Sequence, residues 1–298
     1  MVCTLPVASA LKSLGEDVHI TWVVDSRFKG ITECCTSIDT IVDCRPSFKL
    51  DSFPRFEEEF DLALDMQGLT KSGMVVKLAK AKQKLGYHWQ RELAPLFSQR
   101  VLPDPSSFHV VDQYLDVARA AGADVHRATF NLFAKNEDRE KMTALLAANG
   151  VTGPFVVMNA GAGWVTKRWP ATHFATVVEQ LAAQGIASVL IGGKAEADQE
   201  AAASVMTLCN NQAVNLLGQT SVRELVALIS LGNAHLGGDT GSTHVAAALG
   251  VPAVGLYSIT RPQRSCPYGQ IERCHYSPDG LASIEPEGVY RSCMEAMA

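Results

Sequence analysis

The sequence predicts an α/β fold built as two Rossmann-like, doubly wound domains facing a cleft. Three observations carry this. Short β-branched apolar runs alternate with helical stretches along the whole chain, which implies mainly parallel sheets. The alternation breaks at Gly150 and Gly153-Pro154 and then restarts, dividing residues 1–150 from residues 151–298. Two strand-to-helix turns in the second half are rich in glycine, at Asn159–Gly163 and Gly237–Gly241, where such sheets bind ligands.

In the first half, Leu5–Leu14 reads as a helix and Val18–Val24 as a strand. Ile38–Val42 and Phe60–Leu64 read as further strands ending near Asp, Gly or Pro. Ser72–Lys82 groups Val75, Val76, Leu78 and Ala79 on one helical side, and Val110–Ala121 is a third helix stopped by Gly122. The chain enters a helix almost at once, so the central strand that normally opens such a domain is missing.

The second half is clearer. Strands are predicted at Phe155–Met158, Ala187–Ile191, Ala213–Leu217, Ala234–Gly237 and Val251–Tyr257. Helices are predicted at Pro170–Gln184, Ala195–Cys209, Ser221–Leu231, Ser242–Leu249 and Pro286–Met297. Ser221 with Glu224 three residues on is a capping-box signature.

Composition narrows the function. The chain has 298 residues, of which 47% are hydrophobic and 19% charged, so it can fill a globular core. Aromatics are 7%, so that core is aliphatic and alanine-rich. A net charge of −5 disfavours nucleic acid as a partner. The eight cysteines include no C-x-x-C pair, which argues against a zinc site and for reduced thiols in a cytoplasmic protein. No apolar run reaches transmembrane length, and Met1–Leu11 lacks the pattern of a signal peptide. No metal and no cofactor are expected.

The strongest motif is Gly237-Gly238-Asp239-Thr240-Gly241-Ser242-Thr243-His244. An apolar strand runs into small residues and then a helix. Amides of Thr240, Gly241 and Ser242 at that helix start suit a phosphate or diphosphate. An ordinary βα turn with Asp239 or Thr240 as N-cap has the same spacing. The second motif, Asn159 through Pro170, places Lys167 and Arg168 beside small residues, where cations reach a bound anion or simply face water. Neither motif is a G-x-G-x-x-G or a Walker loop, which disfavours a nicotinamide dehydrogenase.

In combination these segments resemble the ADP-heptose:lipopolysaccharide heptosyltransferases, glycosyltransferase family 9. The resemblance rests on Asp239-Thr240-Gly241-x-x-His244 followed by Ala246-Ala247-Ala248-Leu249-Gly250-Val251-Pro252. It extends to Lys167-Arg168-Trp169-Pro170, Asp65-Met66-Gln67-Gly68-Leu69-Thr70-Lys71-Ser72, Leu217-Gly218-Gln219-Thr220-Ser221, and Arg261-Pro262 through Pro267-Tyr268-Gly269. The pieces cover nearly the whole chain in order.

The resemblance implies a GT-B fold and an inverting transfer of heptose from ADP-heptose to the phosphorylated lipid-A–core acceptor. The second half would bind the donor through Thr166, Lys167, Glu196, Thr220, Asp239, Thr240, Gly241, Ser242 and His244, with Lys167 stabilising the leaving diphosphate. The first half would meet the acceptor, with Gln67 and Lys71 on that side. The setting implied is the cytoplasm, with peripheral contact at the inner membrane. A relative using another nucleotide-sugar or acceptor, or an inactive nucleotide-sugar-binding protein, fits the same motifs.

The departure lies at the start. Val2-Cys3-Thr4-Leu5-Pro6 matches the end of the family's opening segment. The first strand and the aspartate that resemblance offers as catalytic base would lie upstream of Met1. Asp25 and Asp65, each at the end of a predicted strand, are fallback bases. Lys71, Lys77, Lys80, Lys82, Lys84 and Arg91 make a basic stretch in an acidic chain, which suits an anionic lipid or the solvated face of a helix.

Overall fold

The computed structural model describes residues 1–45, 47, 52–161 and 168–298. They divide into two compact units, Met1–Leu132 and Phe133–Ala298.

In the first unit, α1 (Leu5–Lys12) precedes β1 (Thr21–Val24), α2 (Lys29–Thr32) and β2 (Thr40–Asp43). Then come β3 (Leu62–Asp65), α3 (Thr70–Leu78), β4 (Gln83–Tyr87), β5 (Gln99–Val101) and α4 (Val110–Ala120). Among the described residues its strands all pair in parallel, and one isolated antiparallel bridge joins Cys35 to Leu132. β1 pairs with β2, Thr21 opposite Thr40, while β3, β4 and β5 form a second sheet in that order. α1 packs on α4 through Val7, Ala10, Leu115 and Ala118. Among the described residues β1 and β3 each have one neighbouring strand, and Trp22, Val23, Leu62, Ala63 and Leu64 are only half-buried. β4 and β5 are additions to the sequence reading. The helix expected to run to Lys82 stops at Leu78, and the chain returns as β4.

The second unit opens with α5 (Asn136–Ala148), followed by β6 (Phe155–Asn159), α6 (Ala171–Ala182), β7 (Ala187–Leu190) and α7 (Glu196–Leu208). β8 (Val214–Asn215), α8 (Val222–Leu231), β9 (Ala234–Gly238) and α9 (Gly241–Ala248) continue the alternation. β10 (Ala253–Tyr257), α10 (Pro262–Ser265), β11 (Cys274–Tyr276) and α11 (Pro286–Met297) complete it. The sheet is fully parallel, in the order β11-β10-β9-β6-β7-β8. Even-numbered residues Val156, Met158, Leu236, Val254 and Leu256 join α6, α7 and α11 in one core. Odd-numbered Val157, His235 and Tyr257 are buried on the other face, as the pleat requires.

The unit boundary falls after Leu132, earlier than the break expected at 150/151. The reason is α5, which is tied to α8. The Arg223 guanidinium donates to both Asp138 oxygens at 2.9 and 3.0 Å and also to Glu137. Lys141 bonds Glu224, and Arg139 donates to Ser230 Oγ at 2.7 Å. Arg223→Ala leaves the nearly buried Asp138 carboxylate without its partner. Water reaches part of this pair, since the Arg223 side chain is 27% exposed. The expected cost is therefore about 1–3 kcal/mol, below that of a fully buried pair, read from the denaturant midpoint.

Candidate functional site

β6 lies at the centre of the second sheet. From it the chain winds outward through β7 and β8, then crosses back to add β9 on the other side of β6. β6 and β9 therefore flank the point where the strand order reverses, and a crevice forms at their carboxyl ends. Asn159, Gly161, Gly238, Trp169 and Phe174 line a small hollow there.

Asn159 ends β6 and organises the site. Its amide nitrogen donates to Ser242 Oγ at 2.9 Å and to Thr240 Oγ1 at 3.3 Å. Its Oδ1 accepts the Gly161 N–H at 3.1 Å, holding the start of the next loop. Thr240 is the N-cap of α9, yet its hydroxyl does not cap the helix. It meets Ser242 Oγ at 3.1 Å and Thr243 Oγ1 at 3.3 Å instead. The Thr240 N–H donates to Gly238 O at 2.8 Å, so the expectation that this amide faces outward is corrected. Amides of Gly241, Ser242 and Thr243 form the helix's first turn, which has no intrahelical acceptor for them. Gly241 is exposed, while Ser242 and Thr243 are buried. The Ser242 hydroxyl thus braces the loop from within.

His244 lies one helical turn further on, its Nε2 3.4 Å from Asp239 Oδ1. Beneath the loop sits His235, wholly buried on β9, with neither ring nitrogen hydrogen-bonded. Burial, with a smaller contribution from His244, pushes its pKa down to about 3. Its ring explains Gly237: a Cβ there would lie 2.9 Å from His235 Cε1 and 3.2 Å from Thr243 Oγ1.

Asp239, Thr240, Gly241, Ser242 and His244 are therefore together with Asn159. Glu196 and Thr220 are on the same end of the sheet but further along it, after β7 and β8. At about 4.8 Å per strand, β8 lies roughly 10 Å from β6. Glu196 is exposed. Asp198, two residues later, turns inward: a Cβ on Gly161 would meet its Oδ1 at 2.5 Å, and one on Gly193 its Oδ2 at 3.1 Å. Its carboxylate sits between the loops after β6 and β7. The small residues at 161 and 193 were the only signal for it. Thr166 and Lys167, and Trp164 beside them, lie outside the described residues. Past them, Trp169 is buried, and its Nε1–H donates to Ile284 O at 2.9 Å.

In the first unit Asp65 shapes the turn after β3. Its Oδ1 accepts Gln67 N–H at 3.1 Å and Gly68 N–H at 2.8 Å. Gln67 and Lys71 are exposed on that turn and on the first turn of α3. Asp65 itself is buried, which removes it as a base for a substrate hydroxyl. Asp25 accepts from the Arg27 amide and guanidinium at 2.9–3.0 Å, which holds its carboxyl at about 2. That makes it a turn former and a weak proton acceptor.

Residues 56–283 match the family model for glycosyltransferase family 9 (heptosyltransferase). The chain belongs to glycosyltransferase family 9. Within that family it is 25% identical over 278 residues to the lipopolysaccharide core heptosyltransferase OpsX of Haemophilus influenzae, covering 91% of this chain and 79% of OpsX. A family 9 glycosyltransferase from Veillonella parvula superposes with a TM-score of 0.86 at 20% identity, over 99% of this chain and 93% of its own. The ADP-heptose lps heptosyltransferase II of Escherichia coli superposes with a TM-score of 0.80 at 19% identity, over 100% and 95%. The parallel α/β fold of this family 9 member is that of GT-B heptosyltransferases, and it is a glycosyltransferase.

Proposed function

We propose that this glycosyltransferase moves a heptose from ADP-heptose to the inner core of lipopolysaccharide, with inversion at the transferred carbon. The observation that carries the donor half is the loop at the switch point of the second sheet. There Asn159 and Thr240 hold the first turn of α9 open at Gly241. That turn supplies amides and the positive end of a helix dipole to a departing diphosphate. Lys167 adds a positive charge, Asp239 and His244 bound the site, and Asp198, Glu196 and Thr220 flank it toward the nucleoside. The family of the chain and the activities for which OpsX and the Escherichia coli enzyme are named support heptose and lipopolysaccharide as the groups joined.

The acceptor is assigned to the first unit, near Gln67 and Lys71. An anionic core acceptor would draw on the basic stretch around α3. We place the reaction in the cytoplasm, at the membrane that carries the lipid acceptor. Attack by the acceptor hydroxyl needs a base. Asp25 and Asp65 are held by turn amides, so neither is assigned that role.

Calorimetric titration of the chain with ADP-heptose, beside ADP-glucose and UDP-glucose, tests the donor. Selective ADP-heptose binding is expected. Binding of UDP-glucose alone by the folded chain would overturn the assignment. Lys167→Ala is expected to weaken ADP-heptose by about 1.5–3 kcal/mol, the range of a charge-assisted hydrogen bond. Unchanged affinity would remove Lys167 from the site.

A further inference from the structure

The donor reading leaves one surface of the first unit unused. Residues 69–102 carry seven Lys and Arg against a single acid, Glu92, in a chain whose net charge is −5. Within this window large apolar side chains stand in water: Trp89 is 50% exposed, Leu93 55% and Leu96 76%.

These residues form one braced tip. The Arg91 N–H donates to Gly68 O at 2.8 Å, and Leu93 N–H to Thr70 Oγ1 at 3.3 Å. Glu92 accepts the Thr70 N–H at 3.0 Å, so the window's one acid faces the helix start. Gly68 has φ +72°, and a Cβ there would lie 2.6 Å from Trp89 O. The turn before α3 thus lies directly against the tip. Gln90 donates to Ser98 Oγ at 2.7 Å across the base of the tip, and Ala94 is fully buried. The Phe97 ring packs at Gly73, with the Lys77 ammonium 5.7 Å from its centroid. Leu93 and Leu96 are therefore held outward on a fixed support, next to the cations of α3 and Arg91.

Apolar side chains on a rigid projection, fringed by cations, match the boundary layer of an anionic bilayer. A soluble polyanion would meet the cations and leave the leucines in water. We propose that this tip is a membrane-docking surface. Trp89, Leu93 and Leu96 enter the interfacial layer, and Lys71, Lys77 and Arg91 meet the lipid phosphates. The inference deepens the acceptor and membrane reading proposed above, takes its observations from the first unit alone, and is independent of the donor reading.

The test is co-sedimentation of the full chain with vesicles of phosphatidylcholine, alone or mixed with phosphatidylglycerol. Binding to the mixed vesicles is expected, weakening as salt rises. A blue shift of tryptophan emission should accompany it and be lost in Trp89→Phe. Leu93→Ser with Leu96→Ser should lower partitioning by roughly tenfold or more without moving the melting temperature or ADP-heptose affinity. Lys77→Glu with Arg91→Glu should lower it as well. A folded wild-type chain that stays in the supernatant would overturn the proposal. So would leucine variants that bind like wild type, or full displacement by inorganic polyphosphate, which would assign a polyanion site. ADP-heptose calorimetry on the same samples reports separately on the donor reading.

Discussion

Trp169→Ala is expected to destabilise the second unit by about 3–5 kcal/mol, the range for deleting a buried large aromatic side chain. The indole packs edge-on against Phe174 at 4.9 Å and His173 at 5.3 Å between ring centroids. Its N–H is the partner of the Ile284 carbonyl, 115 residues away in sequence. Removing it opens a cavity beside the hollow that Trp169 and Asn159 line and leaves the Ile284 carbonyl without that donor. ADP-heptose affinity should fall with it, because Trp169 lines that hollow beside Asn159. Trp169→Phe keeps most of the packing and loses the hydrogen bond, so a smaller loss is expected, on the order of 1–2 kcal/mol. Thermal unfolding of the second unit reads both. An alanine variant melting like wild type would show that the anchor contributes little.

His235 should give the protein a steep acid limb. Above about pH 6.5 its imidazole is neutral in both folded and unfolded chains. Between about 6.5 and about 3 the unfolded chain takes up a proton that the folded chain refuses. Stability is therefore complete above this window and falls as pH drops through it, by roughly 1.4 kcal/mol per pH unit. At about pH 5 the loss is on the order of 2 kcal/mol. The cause is burial. The ring is wholly buried against Gly237, and the nearby His244 adds a smaller unfavourable charge effect. His235→Leu should flatten the limb relative to wild type when urea midpoints are compared at about pH 7.5 and pH 5. Carboxylates titrate in the same range in both proteins, so the difference between them isolates the histidine. Parallel limbs would show that water reaches the ring.

Much of the second unit was legible because its strands are covered on both faces. Phe155–Met158 and Val251–Tyr257 read as mainly apolar runs, the mark of a buried parallel sheet. Ser221 and Glu224 form the capping box their spacing announced, with Ser221 N–H donating to Glu224 at 2.7 Å. The α11 bounds, Pro286–Met297, are those expected from the sequence. β4 and β5 were not legible. Gln83 and Lys84 open β4 with polar residues, and β5 is three residues held by pairing rather than composition. β11 was missed for the same reason.

The site divides in the same way. Asp239 to His244 follow one another in sequence, so a strand, a small-residue turn and a helix start announced them. Asn159 and Asp198 act through neighbours that only folding supplies. Asn159 reaches Ser242 across 83 residues, and Asp198 meets Gly161 across a strand crossover. Local spacing carries no trace of the Asn159 contact, and only the small residues at 161 and 193 hint at that of Asp198. His235 read as one more residue of an apolar strand, because its environment is set by the helix that follows.

The half-covered strands of the first unit bear on how the chain comes apart under stress. Amides of β6 and β9 are shielded by a neighbour on each side and by helices on both faces. Those of β1 and β3 have one neighbour among the described residues, and most of their side chains are half-buried. Local opening costs least where fewest contacts must be broken. Solvent deuterium and proteases thus find their first entry at Thr21–Val24 and Leu62–Asp65, while β6 and β9 stay protected until the second sheet itself gives way.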